Sequence, residues 1–585
     1  MSRRPDSIAT EPPREPGAET PTPSSAAPAW LVAWLPVRLP PWLTQRRIAW
    51  GLVGLMALAF AIFVGYHALF RHLEFHTDAF DLGNMDQAVW NTLHGHPFRF
   101  TNRGNDDFGP PTRLSIHVEP ILLPLSLLYL IHSGPETLLV TQTIALALGA
   151  FPLFALSLRR LPRFPFVGVA LVFAYLLSPF TISEALWDFH AVALATPLLL
   201  WALWALDSRR YGWFLLAAIL AIATKEDVGL SVAVVALLLA VARPEKRRFG
   251  LLVAIGSLVW VAICFKLILP HYNVGVAGGN NYWYRYSWLG RTPLEALFNA
   301  VTKPWIVLGY LLIPGRLGYL AIVLRSAGGL GLLSPALLLA ALPDLAVNLL
   351  SSHTEQYSGF FQYNAIILPY LLGAAVYGAA ALVRARQGAA SEPTGAGRLA
   401  VAASAARGSA RGVWADGWRA APAGLARFGR AVGALWAALL ERIPLPARWL
   451  QPLLVVWLVG FSLWNISTVG RIPPFWAAGN PPSASLSARM AAVNALLAKI
   501  PADASVCATD TLDPHLSDRY DLYLAPDTLC YQAQYVAMDL PNAIADVRKG
   551  DTKMLQRMRA SGHYVVVGET HNVIVLRRTG AILSP

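Results

Sequence analysis

Apolar runs roughly 17 to 25 residues long, nearly free of charge, recur along the chain and are separated by short polar segments. A helix rises about 1.5 Å per residue, so about 20 such residues cross roughly 30 Å of hydrocarbon. The pattern predicts helical crossings at about 48–70, 136–158, 165–182, 190–206, 212–225, 229–243, 249–269, 303–324, 329–349, 363–383 and 450–468. These are about eleven spans, the two that flank Lys225-Glu226-Asp227 being shorter than the others. The apolar segment 120–132 is too short to cross and reads as a helix lying on, or dipping into, one face. Beyond 470 the texture becomes that of a soluble domain. A helical pattern at 485–500 and another near 550–560 alternate with short strands at 505–508, 522–524, 535–538, 564–567 and 573–576, which predicts a small α/β domain.

Composition agrees with lipid as the solvent. Of the 585 residues, 55% are hydrophobic and 14% charged, and the mean hydropathy is +0.46, too apolar for a soluble globule. The net charge of +13 is therefore no nucleic-acid footprint. It concentrates at alternate span ends, in Arg46-Arg47, Arg159-Arg160, Arg209-Arg210, Arg243 with Lys246, Arg247 and Arg248, and Arg384 with Arg386. By the positive-inside bias these ends face the cytoplasm, which puts the N-terminus inside and the C-terminal domain outside the cytoplasmic membrane. Residues 1–45 are rich in Pro, Ser, Thr and Ala, with Trp30, Trp34 and Trp42 suited to the lipid interface, and no cleavable signal peptide is expected before the first span.

The core of spans covers 46–383 and the last span 449–469, with the outer domain at 470–585. Between them, 384–448 is a cytoplasmic insert with ten arginines against three acids, which suits a lipid-facing amphipathic element. Three cysteines exclude a disulfide framework, although Cys507 and Cys530 can pair in an oxidising compartment. No Cys/His spacing points to zinc, and no glycine-rich phosphate loop or internal repeat is present.

On this topology the clustered polar groups fall at outer span mouths. They are Asp78, Asp81 and Asp86, His117 and Glu119, Glu184 with Trp187, Asp188 and His190, Lys225-Glu226-Asp227, the run from Asn280 through Tyr282, Trp283, Tyr284, Arg285 and Tyr286, and His353 through Tyr363 and Asn364. An ionised group at the bilayer centre costs roughly 2.5 to 3.5 kcal/mol, which span mouths avoid. A helix from Leu82 to about His94 places Leu82, Met85, Val89 and Leu93 on one face, with Asp81 as its N-cap and Gly95 as its stop. Asp86 then points into the apolar face, where it needs a partner, a proton or a ligand. The aromatic run reads either as an interface belt or as a sugar-stacking platform, and Lys225-Glu226-Asp227 either as a hairpin tip or as a phosphate-binding cation with its own carboxylates.

Asp81-Leu82-Gly83, followed by Asp86-Gln87, Trp90-Asn91 and Gly95, resembles the opening signature of a bacterial polytopic membrane-protein family catalogued as domain of unknown function two thousand and seventy-nine. His117 with Pro120, Asp188-Phe189-His190, Lys225-Glu226-Asp227, the Pro343–Ser351 stretch, Tyr363-Asn364 and the Pro514–Arg519 stretch match as well. The family's architecture is similar to the GT-C glycosyltransferases, helix bundles whose first outer loop supplies a catalytic acid and which take sugar from a polyprenyl phosphate. Where those enzymes carry two adjacent acids, this sequence has Asp81-Leu82.

The resemblance implies a catalytic acid at Asp81, with Asp78 as the competing candidate. Asp86, His117, Glu119, Asp188, His190, Lys225, Glu226, Arg285 and Tyr363 are then the substrate-binding candidates. Lys225 or Arg285 would neutralise the departing lipid phosphate. No cofactor is required by the pattern, and a hard divalent ion held by Asp81 and Glu119 is compatible with it. The expected partners are membrane lipid and a polyprenyl-phosphate-linked sugar. Two other classes use the same features, a transporter or flippase of lipid-linked substrates and a non-catalytic envelope scaffold.

Overall fold

The computed structural model describes residues 44–103, 110–274, 282–389, 449–469, 484–540 and 545–583. The expectations for residues 1–43, for Asn280-Asn281 and for most of the arginine-rich insert fall outside them.

The molecule is mostly helical, with a small sheet near its C-terminal end. Every expected span corresponds to a helix or a helix pair. By length and apolar composition, five are able to cross a membrane: Gln45–Leu73 (α1), Pro135–Arg160, Pro244–Tyr272, Phe361–Arg384 and Leu450–Val469. Two pairs, Pro165–Leu176 with Pro179–Leu186 (bent 46°) and Pro304–Leu311 with Pro314–Arg325 (bent 76°), raise the number to seven. The other four, Ala191–Asp207, Tyr211–Ile222, Val228–Ala242 and Pro335–Leu350, are shorter apolar helices. Proline sets both bends. It fits the first turn, where its missing N–H is not needed, and it disfavours helix in the residue before it. Ser178 caps the restart at Pro179, its hydroxyl accepting from Phe180 N at 3.3 Å. In the 120–132 segment the chain forms the short helix Leu122–Ser126, with Leu127, Leu130 and Ile131 exposed beside it.

The first loop departs from its expected geometry. Residues Ala79–Gly83 form a π-helical turn that leads into α2, Asn84–Leu93. Asp81 is therefore inside a turn and caps nothing. Asp78 occupies the capping position without a side-chain cap bond. Leu82, Met85, Val89 and Leu93 do share one apolar cluster, and Gly95 ends the element at φ +88°.

The C-terminal sheet has the order β2-β1-β3-β5-β4, with β1 Val506–Ala508, β2 Leu522–Leu524, β3 Tyr535–Asp539, β4 Tyr564–Thr570 and β5 Val573–Arg578. β1 pairs parallel with β2 and β3, while β5 runs antiparallel to β3 and β4. Cys507 on β1 is disulfide-bonded to Cys530, in the turn between β2 and β3. Closing that loop of 23 residues stabilises the domain by about 3 kcal/mol in the chain-entropy account. Replacing both cysteines by serine should lower the denaturant midpoint for protease cleavage within 484–583 accordingly. An unchanged midpoint contradicts the assignment.

This domain grips the first loop. Phe75 lies in the domain's apolar core, and the His515 ring stacks on His72 at 4.1 Å. Gln87 Nε2 donates to Arg519 O, the Thr101 hydroxyl accepts from Leu522 N, and Asp510 accepts from Ala79 N at 2.9 Å. Gly83 is required here, since a Cβ at that position would meet Asp513 Oδ1 at 2.1 Å. The glycine of the Asp81-Leu82-Gly83 triplet thus serves the seating of the domain.

Candidate active site

A cavity of about 530 Å³ opens among the helix-connecting segments. Asp81, His117, Glu119, His190, Lys225, Glu226, Arg285 and Tyr363 line it, as do Asn84, Arg113, Asp227, Tyr282 and Asp344. Phe265, Leu289 and Leu297 are part of its apolar wall. Asp78, Asp86 and Asp188 are not among the lining residues.

Asp81 is held from two sides by the Trp187–His190 segment. Trp187 Nε1 donates to Oδ2 at 3.1 Å, and His190 Nε2 lies 3.2 Å from Oδ1. A third of the Asp81 side chain stays open, 34% by relative area. Burial would raise its pKa, but the charge and hydrogen bond of His190 outweigh that and hold it at about 2, so Asp81 is ionised at neutral pH. His190 Nδ1 faces the Asp188 carbonyl at 2.9 Å, which can only accept, so Nδ1 carries a hydrogen. Nε2 then needs a second proton to meet an ionised carboxylate. Consistent with this, Asp81 overcomes burial and raises the His190 pKa.

Asp188 orients the assembly from behind. It is buried, accepts from Arg71 Nη1 at 2.5 Å and from Asp78 N at 2.6 Å, and Arg71 in turn lies over the Trp187 ring at 4.5 Å. Carboxylate oxygens of Asp78, Asp81 and Asp188 all lie within 4.8 Å of one another. Burial, with the nearby charges of Asp188 and Asp510, pushes the Asp78 carboxyl up to about 8. From about pH 4 to 8 the native state therefore keeps a proton on Asp78 that the unfolded chain releases. Its contribution to stability declines as pH rises through that window.

The other expected ligands are committed. Glu119 Oε2 accepts from both Nε and Nη2 of Arg113, at 3.1 and 2.8 Å, and Arg113 Nη1 donates to Asn84. Glu119 and Asp81 thus each already have a cationic partner, Arg113 and His190. Glu226 accepts from His117 Nδ1 at 2.9 Å and from Val118 N at 3.0 Å. Burial raises its pKa, yet His117 and then Lys225 bring it to about 2. Lys225 Nζ pairs with Asp227 at 2.6 Å. Arg285 differs, with its guanidinium over the Tyr282 and Tyr284 rings at 4.4 and 5.8 Å and no carboxylate within ion-pair reach among the described residues. The backbone near Tyr363 is fixed by Asn348, whose Nδ2 donates to Tyr363 O at 2.8 Å and to Tyr319 Oη at 3.0 Å.

Asp86 is placed elsewhere. It is fully buried, accepts from the Tyr129 hydroxyl and from Ser517 Oγ, and ties α2 to the C-terminal domain. The need for a partner is met by protein, and Asp86, expected as a substrate contact, stands outside the cavity lining. The residues sequence reasoning overlooked are Arg71, Arg113 and Asn84. Arg71 carried a signal, because a cation at the end of α1 opposite Arg46-Arg47 runs against the positive-inside bias and so calls for a buried acid.

The fold and the cavity define a polytopic helical membrane protein with a polar site among its helix connections. The sequence matches the family described as "Predicted membrane protein (DUF2079)" over residues 71–394 and 447–575, and the chain belongs to that family. No curated protein matches the sequence. Two crystal structures of ArnT from Cupriavidus metallidurans are similar at 14% identity and a TM-score of 0.44. The one bound to undecaprenyl phosphate aligns over 91% of this chain and 99% of its own, and the apo state over 90% and 98%.

Proposed function

We propose that this protein transfers a glycosyl group from a polyprenyl-phosphate donor to an acceptor hydroxyl on the outer face of the cytoplasmic membrane. One observation carries the reading. A single cavity holds an ionised, partly open carboxylate, Asp81, and a cation without a carboxylate partner among the described residues, Arg285. The acceptor oxygen attacks the anomeric carbon, its proton passes to Asp81, and the bond from that carbon to the phosphate oxygen breaks. Charge grows on the departing phosphate, where Arg285 stabilises it. Lys225 and Arg113 are already neutralised by Asp227 and Glu119, which makes Arg285 the phosphate partner. The apolar wall suits a lipid tail.

The test is release of polyprenyl phosphate from such donors by the purified protein in liposomes supplied with envelope acceptors. Arg285→Gln should lower kcat/KM by about 10- to 150-fold, the scale of a charge-assisted hydrogen bond. Failure of the wild-type protein to release polyprenyl phosphate from any such donor sinks the reading.

A further inference from the structure

A second charged corner lies far along the helices from the cavity, where three apolar spans reach their ends. Pro135–Arg160 finishes at Arg159 and Arg160, Ala191–Asp207 finishes at Asp207, and the span Phe361–Arg384 closes at Arg384, its helix running on to Ala389. Such ends mark the level where hydrocarbon gives way to headgroups and water. Asp207 is buried and fully engaged. Its Oδ2 accepts from Arg159 Nε at 2.9 Å, and its Oδ1 accepts from Arg160 Nη2 and, at 2.7 Å, from the Tyr377 hydroxyl.

Arg384 stands seven residues after Tyr377 on the same helix, about 10 Å along the axis and on nearly the same face. It therefore projects toward the same corner, and the charge of Arg160 acts on it. It has no acid partner among the described residues, and the Nε atoms of Arg384 and Arg160 are both buried without a hydrogen-bond acceptor. Arg159 and Arg160 share the one carboxylate, and Arg384 brings a third guanidinium to the corner. The C-terminal ends of the two helices that finish at Arg160 and Asp207 add about half a negative charge each, which still leaves about one positive charge uncompensated. Leaving a guanidinium half-buried beside another is unfavourable unless an anion joins them.

We propose that Arg160 and Arg384 form a binding site for a phosphate anion, with an anionic phospholipid headgroup as the occupant. The position at helix ends favours lipid over free phosphate, because a headgroup is held at that depth by its own tails. Guanidinium forks match phosphate oxygens in geometry and charge. The site is independent of the transfer chemistry.

Thermal unfolding of the full chain in nanodiscs tests this, with phosphatidylglycerol titrated into phosphatidylcholine. Phosphatidylglycerol should raise the wild-type midpoint, and Arg384→Gln should need about fivefold more of it for the same rise, the worth of one arginine at an anionic surface. In pure phosphatidylcholine Arg384→Gln should be at least as stable as wild type, since it relieves like-charge repulsion. Arg163→Gln, which removes an exposed cation after the same helix end, should respond as wild type does. Inorganic phosphate added to phosphatidylcholine discs distinguishes the sources, and an equal response there upholds the site while assigning it to free phosphate. The proposal is overturned if Arg384→Gln keeps the full response, if Arg163→Gln loses as much, if neither anion has an effect, or if Arg384→Gln is already less stable in phosphatidylcholine.

Discussion

Asp81→Asn should lower transfer from the polyprenyl-phosphate donor by about 10²-fold or more at neutral pH, the scale of a positioned acid or base, with expression and membrane insertion unchanged. The amide keeps the shape of the side chain and can still accept from Trp187. Because Asp81 caps no helix, no stability loss of the kind expected from a lost cap accompanies the change. What disappears is the ionised oxygen open to the cavity. Asp78 separates the two candidates, since its carboxyl is pushed up to about 8 by burial and then by the charges of Asp188 and Asp510. It already carries a proton at neutral pH, and Asn imitates that state, so Asp78→Asn should stay close to wild type. Full transfer by Asp81→Asn, or a loss in Asp78→Asn matching the one expected for Asp81→Asn, removes Asp81 as the base.

The largest stability effect is expected at Arg71. Its guanidinium is the charge partner of Asp188, whose side chain is completely enclosed, and it packs over Trp187, which holds Asp81. Arg71→Met strands a buried carboxylate close to two other acids, and breaking such a pair from one side costs about 3 to 5 kcal/mol. The added Asp188→Asn change removes the stranded charge and still accepts from Asp78 N, so the double variant should recover most of the loss. Denaturant unfolding of the purified chain measures both. A single variant within about 1 kcal/mol of wild type shows that the pair is not structural.

Membrane helices and sheet strands were legible in the linear pattern because their signals are local. Apolar length marks Gln45–Leu73 and Phe361–Arg384, and a short run of mainly β-branched apolar residues marks Val573–Arg578. The gathering of polar groups at helix mouths was equally legible. Their individual roles were not, because the partner of a buried charge lies wherever the fold brings it. Asp188 finds Arg71 at a separation of 117 residues, and Asp86 finds Ser517 at 431.

The sequence by itself therefore determined the solvent, the helical class, the α/β character of the C-terminal domain and the short list of polar residues, all of which follow from composition and period. Tertiary structure alone decided which of those residues remain available. It buried Asp86 against Tyr129, gave Glu119 to Arg113 and Lys225 to Asp227, and kept a proton on Asp78, leaving Asp81 open beside His190 and Arg285 without an acid among the described residues. Burial makes an unpaired charge costly, so the fold pairs nearly all of them, each with whatever group the tertiary structure brings beside it.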